Sequence, residues 1–343
     1  MKPFCQLPWS RAKIESDGLV RMCCHQKEYL GNLFENTFDE LWFGKKANEI
    51  RKSILNGRLE TSCNTTECPY NYYAKHQCDN QSVDYPQEIE FDLHPTMCNY
   101  GGTKIDENKT CIMCPRIAYK EKYVNIPDNT NLILDKISHL IPYLNSISVL
   151  GLAEPFWRDG LFHVFDKLNF KKNRHKISFW THTNGSIFDK NKMIKFSEYV
   201  QKSSLSFSLD AATSQTYKLI RKHDWTPVLK NLRDWVEMSS ELNLHGNEHK
   251  VVIFNNINTL NVDEVEQMVQ LTYDLGVKYL TLIPTTDCGG DNKLISNIMP
   301  SNKNWQKFAK AEVLAKALAK DLNINLIFVR PLDLGMSNRL TIL

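Results

Sequence analysis

No apolar run in the 343 residues approaches the ~18 that a membrane-spanning helix needs. The start, MKPFCQLPWSRAKIESDG, carries a lysine but lacks the apolar core of a secretory signal, so a cytoplasmic location is expected. Excess charge of either sign is also missing. Forty-two basic against thirty-nine acidic residues leave +3, too close to neutral to call for a nucleic-acid partner. Low-complexity segments are absent, and with 42% hydrophobic and 24% charged residues the composition is that of a globular chain rather than a disordered one. Cysteine is almost absent from the last two thirds, where only Cys288 follows Cys114.

What is present is therefore concentrated. Nine of the ten cysteines fall between Cys5 and Cys114. A chain long enough for roughly two domains of about 150 residues needs no disulfide staples. Without export, clustered cysteines point to metal ligands or catalytic thiols.

From Ile89 onward strand-like and helix-like patterns alternate. IEFDLHP (Ile89 to Pro95), SISVLGLAEP (Ser146 to Pro155), KISFWTHTNG (Lys176 to Gly185), SSLSFSLDA (Ser203 to Ala211), HKVVIFNN (His249 to Asn256) and YLTLIP (Tyr279 to Pro284) read as strands, each trailed by a helix. The clearest helix puts Val262, Val265, Val269 and Tyr273 on one face, with Gly276 at its carboxyl cap. Six such units imply parallel strands with right-handed crossovers, an α/β sheet or barrel. A helix from Trp305 to about Leu322 and a strand, INLIFVR, close the chain. Residues 1 to 85 break this rhythm with six cysteines and an amphipathic stretch from Thr37 to Leu59, and SVDYPQ (Ser82 to Gln87) reads as a linker.

The strongest chemical signal follows the first barrel-type strand: Cys98, twelve residues, then Cys111-Ile-Met-Cys114. A CxxC pair with a third cysteine supplies three thiolates to one metal or cluster. A [4Fe–4S] cube so held keeps one iron open. A structural zinc knuckle completed by His94 has the same spacing, and spacing alone leaves both open.

In this loop, MCNYGGTKIDENKTCIMCPR, the sequence resembles the radical S-adenosylmethionine (radical SAM) enzymes, with the same CN opening and CxxCPR close. GLAEP (Gly151 to Pro155) stands where that family has GGEP, THTNG (Thr181 to Gly185) where it has TNG, and SLDAATSQTYKLIR (Ser208 to Arg221) matches its fourth-strand segment. The twelve-residue gap departs from the usual three, and its polar, glycine-containing sequence suits an outward loop that could shape the substrate mouth. The resemblance implies a partial (β/α)6 barrel over residues 86–300, completed by the helix and strand of 301–343. Cys98, Cys111 and Cys114 would hold the cluster. Glu154 would accept a hydrogen bond from the amino group of S-adenosylmethionine, Arg221 would pair with its carboxylate, Ser208 and Asp210 would contact carboxylate or ribose, and Val252 and Ile253 would flank the adenine. It also implies reductive cleavage to a 5′-deoxyadenosyl radical that abstracts hydrogen from a substrate, with an electron donor of the flavodoxin or ferredoxin type.

Residues 1–85, with the LGN opening and the DELW helix, resemble the auxiliary-cluster module called SPASM, or its shorter twitch form, placed before the barrel instead of after it. Cys5, Cys23, Cys63 and Cys68 would ligate an auxiliary [4Fe–4S] cluster, leaving Cys24 and Cys78 over; a four-cysteine zinc knuckle is the alternative. Cys288, in the TTDCGGDN loop after the sixth strand, is a candidate hydrogen donor to a substrate radical. A peptide or protein substrate is expected, to be oxidised, crosslinked or epimerised. A dehydrogenase of a sugar or other small molecule is the nearest alternative, and a zinc-binding interaction protein the alternative of another class.

Overall fold

The computed structural model describes residues 5–63, 83–286, 297–300, 304–330 and 341–342. Its strands are β1 (Arg11–Ile14), β2 (Leu19–Arg21), β3 (Gly31–Asn32), β4 (Glu88–Asp92), β5 (Ser146–Leu150), β6 (Ser178–Thr183), β7 (Lys202–Ser208), β8 (Glu248–Ile257), β9 (Tyr279–Pro284), β10 (Asn325–Arg330) and β11 (Thr341–Ile342). They form one sheet in the order β11, β10, β9, β8, β7, β6, β5, β4, β1, β2, β3. Every neighbouring pair from β4 to β10 is parallel. From β4 to β10 spatial order follows chain order, so each crossover there steps one strand onward. The result is a mixed α/β fold built on a large parallel sheet.

Side chains alternate across a strand, and here the two faces differ in chemistry. Ile89, Phe91, Ile147, Val149, Phe179, Leu205, Phe207, Ile253, Leu280 and Leu282 are buried together with helix residues such as Phe165, Phe196 and Trp235. Burying each large side chain of this kind contributes about 1.5–3 kcal/mol. The opposite face is polar, and one cross-strand row runs through Lys13, Glu90, Ser148, Trp180, Ser204 and Lys250. The helices thus cover the apolar face, and the polar row lies on the other.

Two local features differ from the sequence-based expectation. The helix after β8 opens with a 3-10 turn, Val262–Glu264, before Val265–Asp274. Val262, Val265 and Val269 are buried as expected, joined by Met268 and Thr272, and of the expected face only Tyr273 is exposed. The segment expected as a linker is packed: Trp42 Nε1 donates to Asp84 O at 2.8 Å, and the Tyr85 ring lies 4.5 Å from Tyr143 and 5.2 Å from Phe43.

The amino-terminal residues continue the same sheet. β1 lies parallel to β4, from Arg11 opposite Glu88 to Ile14 opposite Phe91, and β2 and β3 extend it antiparallel. The helix Phe38–Trp42 starts at a capping box, in which Thr37 Oγ1 accepts from Glu40 N and Glu40 Oε2 accepts from Thr37 N.

Candidate active site

The chain leaves β4 at Asp92 and turns through His94, whose Nδ1 meets Thr96 Oγ1 at 2.8 Å and whose Nε2 meets Ile126 O at 3.0 Å. Both ring nitrogens are engaged, so His94 is not available as a fourth ligand beside the three cysteines. Glu154 N donates to Met97 O at 2.6 Å, which fastens the start of the cysteine loop to the GLAEP turn after β5.

The twelve residues between Cys98 and Cys111 fold into a closed loop. Asp106 N donates to Gly101 O at 2.8 Å, Thr110 Oγ1 donates to Asp106 O at 2.7 Å, and Ile112 N donates to Ile220 O at 3.0 Å. Tyr100 stacks on His223 with ring centroids 3.7 Å apart, and its hydroxyl meets that of Tyr217 at 3.2 Å. The insertion therefore adds length without separating its ends. Cys98, Cys111 and Cys114 line one cavity of about 290 Å³ together with Glu154, Ser208 and Arg221.

Burial pushes the Cys98 and Cys114 thiols up to about 12, and raises Cys111 too, with Arg221 opposing it there. Arg221 Nη1 donates to Cys111 Sγ at 3.6 Å. Its Nε pairs with Asp210, which is wholly buried and also accepts from Asn256 N at 2.7 Å. Glu154 is buried: Oε1 accepts from Thr183 Oγ1 at 2.7 Å, and Oε2 from Asn184 N at 2.6 Å. Burial raises its pKa to about 7 despite those donors. His182, half-buried in the cavity wall between the edges of Trp180 and Phe254, is held down to about 4 by burial and by the charge of Arg221.

Of the residues expected around a cofactor, Glu154, Ser208 and Arg221 line the cavity, whereas Asp210 stands behind Arg221. Val252 and Ile253 do not line it. They sit in mid-strand opposite Ser206 and Phe207, and it is Asn256, four residues beyond Val252, that reaches the cavity. Sequence reasoning did not find Tyr100, Asn256 or Thr285. The Thr285 hydroxyl is buried, has no partner and belongs to a residue of the cavity wall. Only Asn256 had a visible signal, as the polar end of an apolar strand.

Three cysteines on one cavity wall are a donor set that an iron–sulfur cluster can take. Among the described residues, no three His, Cys, Asp or Glu side chains are grouped closely enough to hold one metal ion. A cube needs its three thiolates spread around it, and binding it would deprotonate thiols that burial otherwise keeps neutral. An orphaned hydroxyl and a carboxylate in the same cavity suit a polar ligand beside the cluster.

In the amino-terminal part, Cys23 is buried, Cys24 exposed, and Cys5 and Cys63 half-buried. Cys5 lies close enough to Cys23 to raise its thiol by charge, though the larger causes are its hydrogen bond with Cys24 and its burial. A bridge from Gln26 to Cys63 and the bond from Lys27 N to Ser62 O, 3.0 Å, bring Cys63 to the same turn. Cys24 is held down to about 4, chiefly by that hydrogen bond from Cys23, with burial opposing and His25 and Lys13 assisting. Cys68, Cys78 and Cys288 lie outside the described residues. A larger cavity of about 450 Å³ opens by the first residues of β8 and β9 but holds no cysteine.

Residues 5–69 match the model of SPASM, an iron–sulfur cluster-binding domain. No curated protein matches the chain. Among solved structures, Streptococcus suis SuiB bound to S-adenosylmethionine aligns at a TM-score of 0.51 and 11% identity, over 92% of this chain and 71% of that one. SuiB bound to the precursor peptide SuiA gives 0.49 and 14%, over 83% and 62%. The anSMEcpe structure with bound AdoMet and Cp18Cys peptide gives 0.47 and 17%, over 70% and 62%. The likeness to SuiB is one of fold, and this chain spans 62% of the length of the peptide-bound SuiB chain. No helix among the described residues is long and apolar enough to cross a membrane.

Proposed function

We propose that the protein is a radical SAM enzyme, with a partial (β/α)6 barrel formed by β4 to β9 and an auxiliary [4Fe–4S] cluster in the amino-terminal module, acting on a peptide or protein. The observation that carries this is the meeting of Cys98, Cys111 and Cys114 with Glu154, Ser208 and Arg221 in one cavity after the carboxyl ends of parallel strands.

When bound, the cluster would supply the electron that splits the sulfonium of S-adenosylmethionine into methionine and a 5′-deoxyadenosyl radical. The chain's own task is to bind, orient and keep water out. Cys98, Cys111 and Cys114 would hold three irons and leave the fourth open. Glu154, fixed by Thr183 and Asn184, would accept from the amino group, and Arg221, steadied by Asp210, would pair with the carboxylate. Ser208 would reach carboxylate or ribose. Val252 and Ile253 would back the adenine only from a deeper layer, with Asn256 and Thr285 offering the polar contacts nearer the cavity. Tyr100, stacked on His223, would form part of the cavity wall.

Among the described residues the cavity measures about 290 Å³. The match of residues 5–69 to the SPASM model supports a peptide or protein substrate, the more frequent association of that module. Cys5, Cys23, Cys63 and Cys68 would hold the auxiliary cluster, which could take an electron from a substrate radical. A flavodoxin or ferredoxin type of donor would reduce the first cluster.

Anaerobic reconstitution should give about eight irons per chain, from two four-iron clusters, and reduction with S-adenosylmethionine should release 5′-deoxyadenosine. A loaded protein that forms none of this nucleoside overturns the reading. Cell extract from deuterated medium, separated into peptide and metabolite fractions, should place deuterium in the nucleoside only with the peptide fraction.

A further inference from the structure

Arg116 follows the CxxC pair by two residues, and its side chain is completely buried. Nη1 donates to Tyr100 O at 2.9 Å and Nη2 to Gly102 O at 2.7 Å, both within the insertion between Cys98 and Cys111. Nε is buried with no partner, and among the described residues no carboxylate pairs with the guanidinium. Tyr100 and Gly102 lie two and four residues beyond Cys98, and Arg116 lies two beyond Cys114, so the guanidinium joins the segments that carry these two cysteines.

A buried charge needs compensation. Of the other buried arginines one pairs with a carboxylate, and the other is met by neutral groups and keeps Nη2 buried without a partner. Arg221 has Asp210. Arg51 has the carbonyls of Pro8 and Trp42, the Asn48 side chain and the face of the Trp42 ring, 4.6 Å away. Arg116 has two carbonyls of the insertion, an unpartnered buried Nε and no carboxylate among the described residues, and it follows Cys114 by two residues. Three thiolates around a cluster would supply the missing anion.

We propose that Arg116 is the counter-ion of the cluster held by Cys98, Cys111 and Cys114, and that the same guanidinium fastens the twelve-residue insertion, so that cluster charge and loop closure are coupled. This rests on the proposed function. Arg116 is a positioning residue: a fixed positive charge favours the reduced cluster, which is more negative by one electron, and so raises its reduction potential. The two carbonyl bonds need the planar fork, whereas the electrostatic effect needs only the charge, and substitution separates them.

The test is a redox titration of reconstituted protein, following the electron paramagnetic resonance signal that responds to S-adenosylmethionine, for wild type, R116K and R116Q, with iron counted in each. Limited proteolysis of residues 99–110 is read alongside. R116Q is expected to titrate at a more negative potential than wild type. R116K should stay near the wild-type potential yet cut faster in the insertion, and wild type should be cut more slowly with the cluster than without it. Loss of iron from R116Q while R116K keeps iron at the wild-type potential also supports the proposal. An unchanged potential in loaded R116Q, an equal shift in both variants, or loss of iron from both leaves Arg116 a purely structural role and overturns the proposal. Wild type that takes up no cluster at Cys98, Cys111 and Cys114 overturns the proposed function itself, and this inference with it.

Discussion

The fully buried carboxylate of Asp210 pairs with Arg221 Nε, and the same guanidinium reaches Cys111 Sγ through Nη1 at 3.6 Å. Asp210 thus connects the end of β7 to the cysteine loop after β4 through one side chain. Its Oδ1 also accepts from Asn256 N, at 2.7 Å. Three strand ends are therefore held in register around the cavity by a single carboxylate.

Replacing Asp210 with asparagine keeps the shape but removes the charge opposite Arg221. Breaking a buried pair from one side costs on the order of 3 kcal/mol. D210N should show that loss in urea unfolding, and S-adenosylmethionine binding by calorimetry should weaken. Unaltered stability and affinity would contradict the role given to the pair.

Glu154 carries a pH signature. Its folded pKa is raised to about 7 from 4.5, so between these values the folded state holds more of the proton than the unfolded state. Wild-type stability should then fall as pH rises from 4.5 to 7, by roughly 3 kcal/mol, while E154Q has no charge to bury and no such slope. Unfolding of the metal-free proteins across this range measures the difference. Parallel curves would remove the raised pKa from the account.

The two cysteine groups should be separable. Alanine at Cys98, Cys111 and Cys114 should cost about four irons and all nucleoside formation, and alanine at Cys5 and Cys23 the other four, with some cleavage spared. Eight irons remaining after the second change would show that the auxiliary ligands lie elsewhere, Cys24 being the next candidate.

Gly101 and Gly102 offer a test of the insertion. Both have positive φ, +87° and +66°, but a Cβ at Gly101 would overlap Thr110 Oγ1, whereas at Gly102 it would meet nothing. G102A should cost only the backbone strain, about 1 kcal/mol. G101A should cost at least about 2 kcal/mol and loosen iron retention, because Thr110 anchors the end of the loop before Cys111. Equal effects would mean that loop closure does not hold the cysteines.

Much of the candidate site was legible because its parts are local. Glu154 sits in a turn set by GLAEP, Arg221 ends a helix capped by Thr213, and Cys111 and Cys114 are one motif. Lys13 was not legible. It pairs with Glu90 and with Asp92, 3.2 Å away, because β1 joins the free edge of β4, a choice made across more than seventy residues. The position of Val252 and Ile253 away from the cavity wall has a similar cause: β8 extends to Ile257, so Asn256, near its end, meets the cavity.

By itself the sequence determined the series of strand and helix units, the chemistry gathered after each strand, and the division of the cysteines into an amino-terminal group and a three-cysteine loop. Only the tertiary structure decided which polar side chains face inward, that the insertion closes on itself, and that Arg116 is buried without an anion. Side chains alternate with a period of two, so a one-residue change of register would turn Glu90, His182 and Asn256 to the other face of the sheet. Register and edge pairing are settled by contacts between distant segments, which local pattern cannot specify.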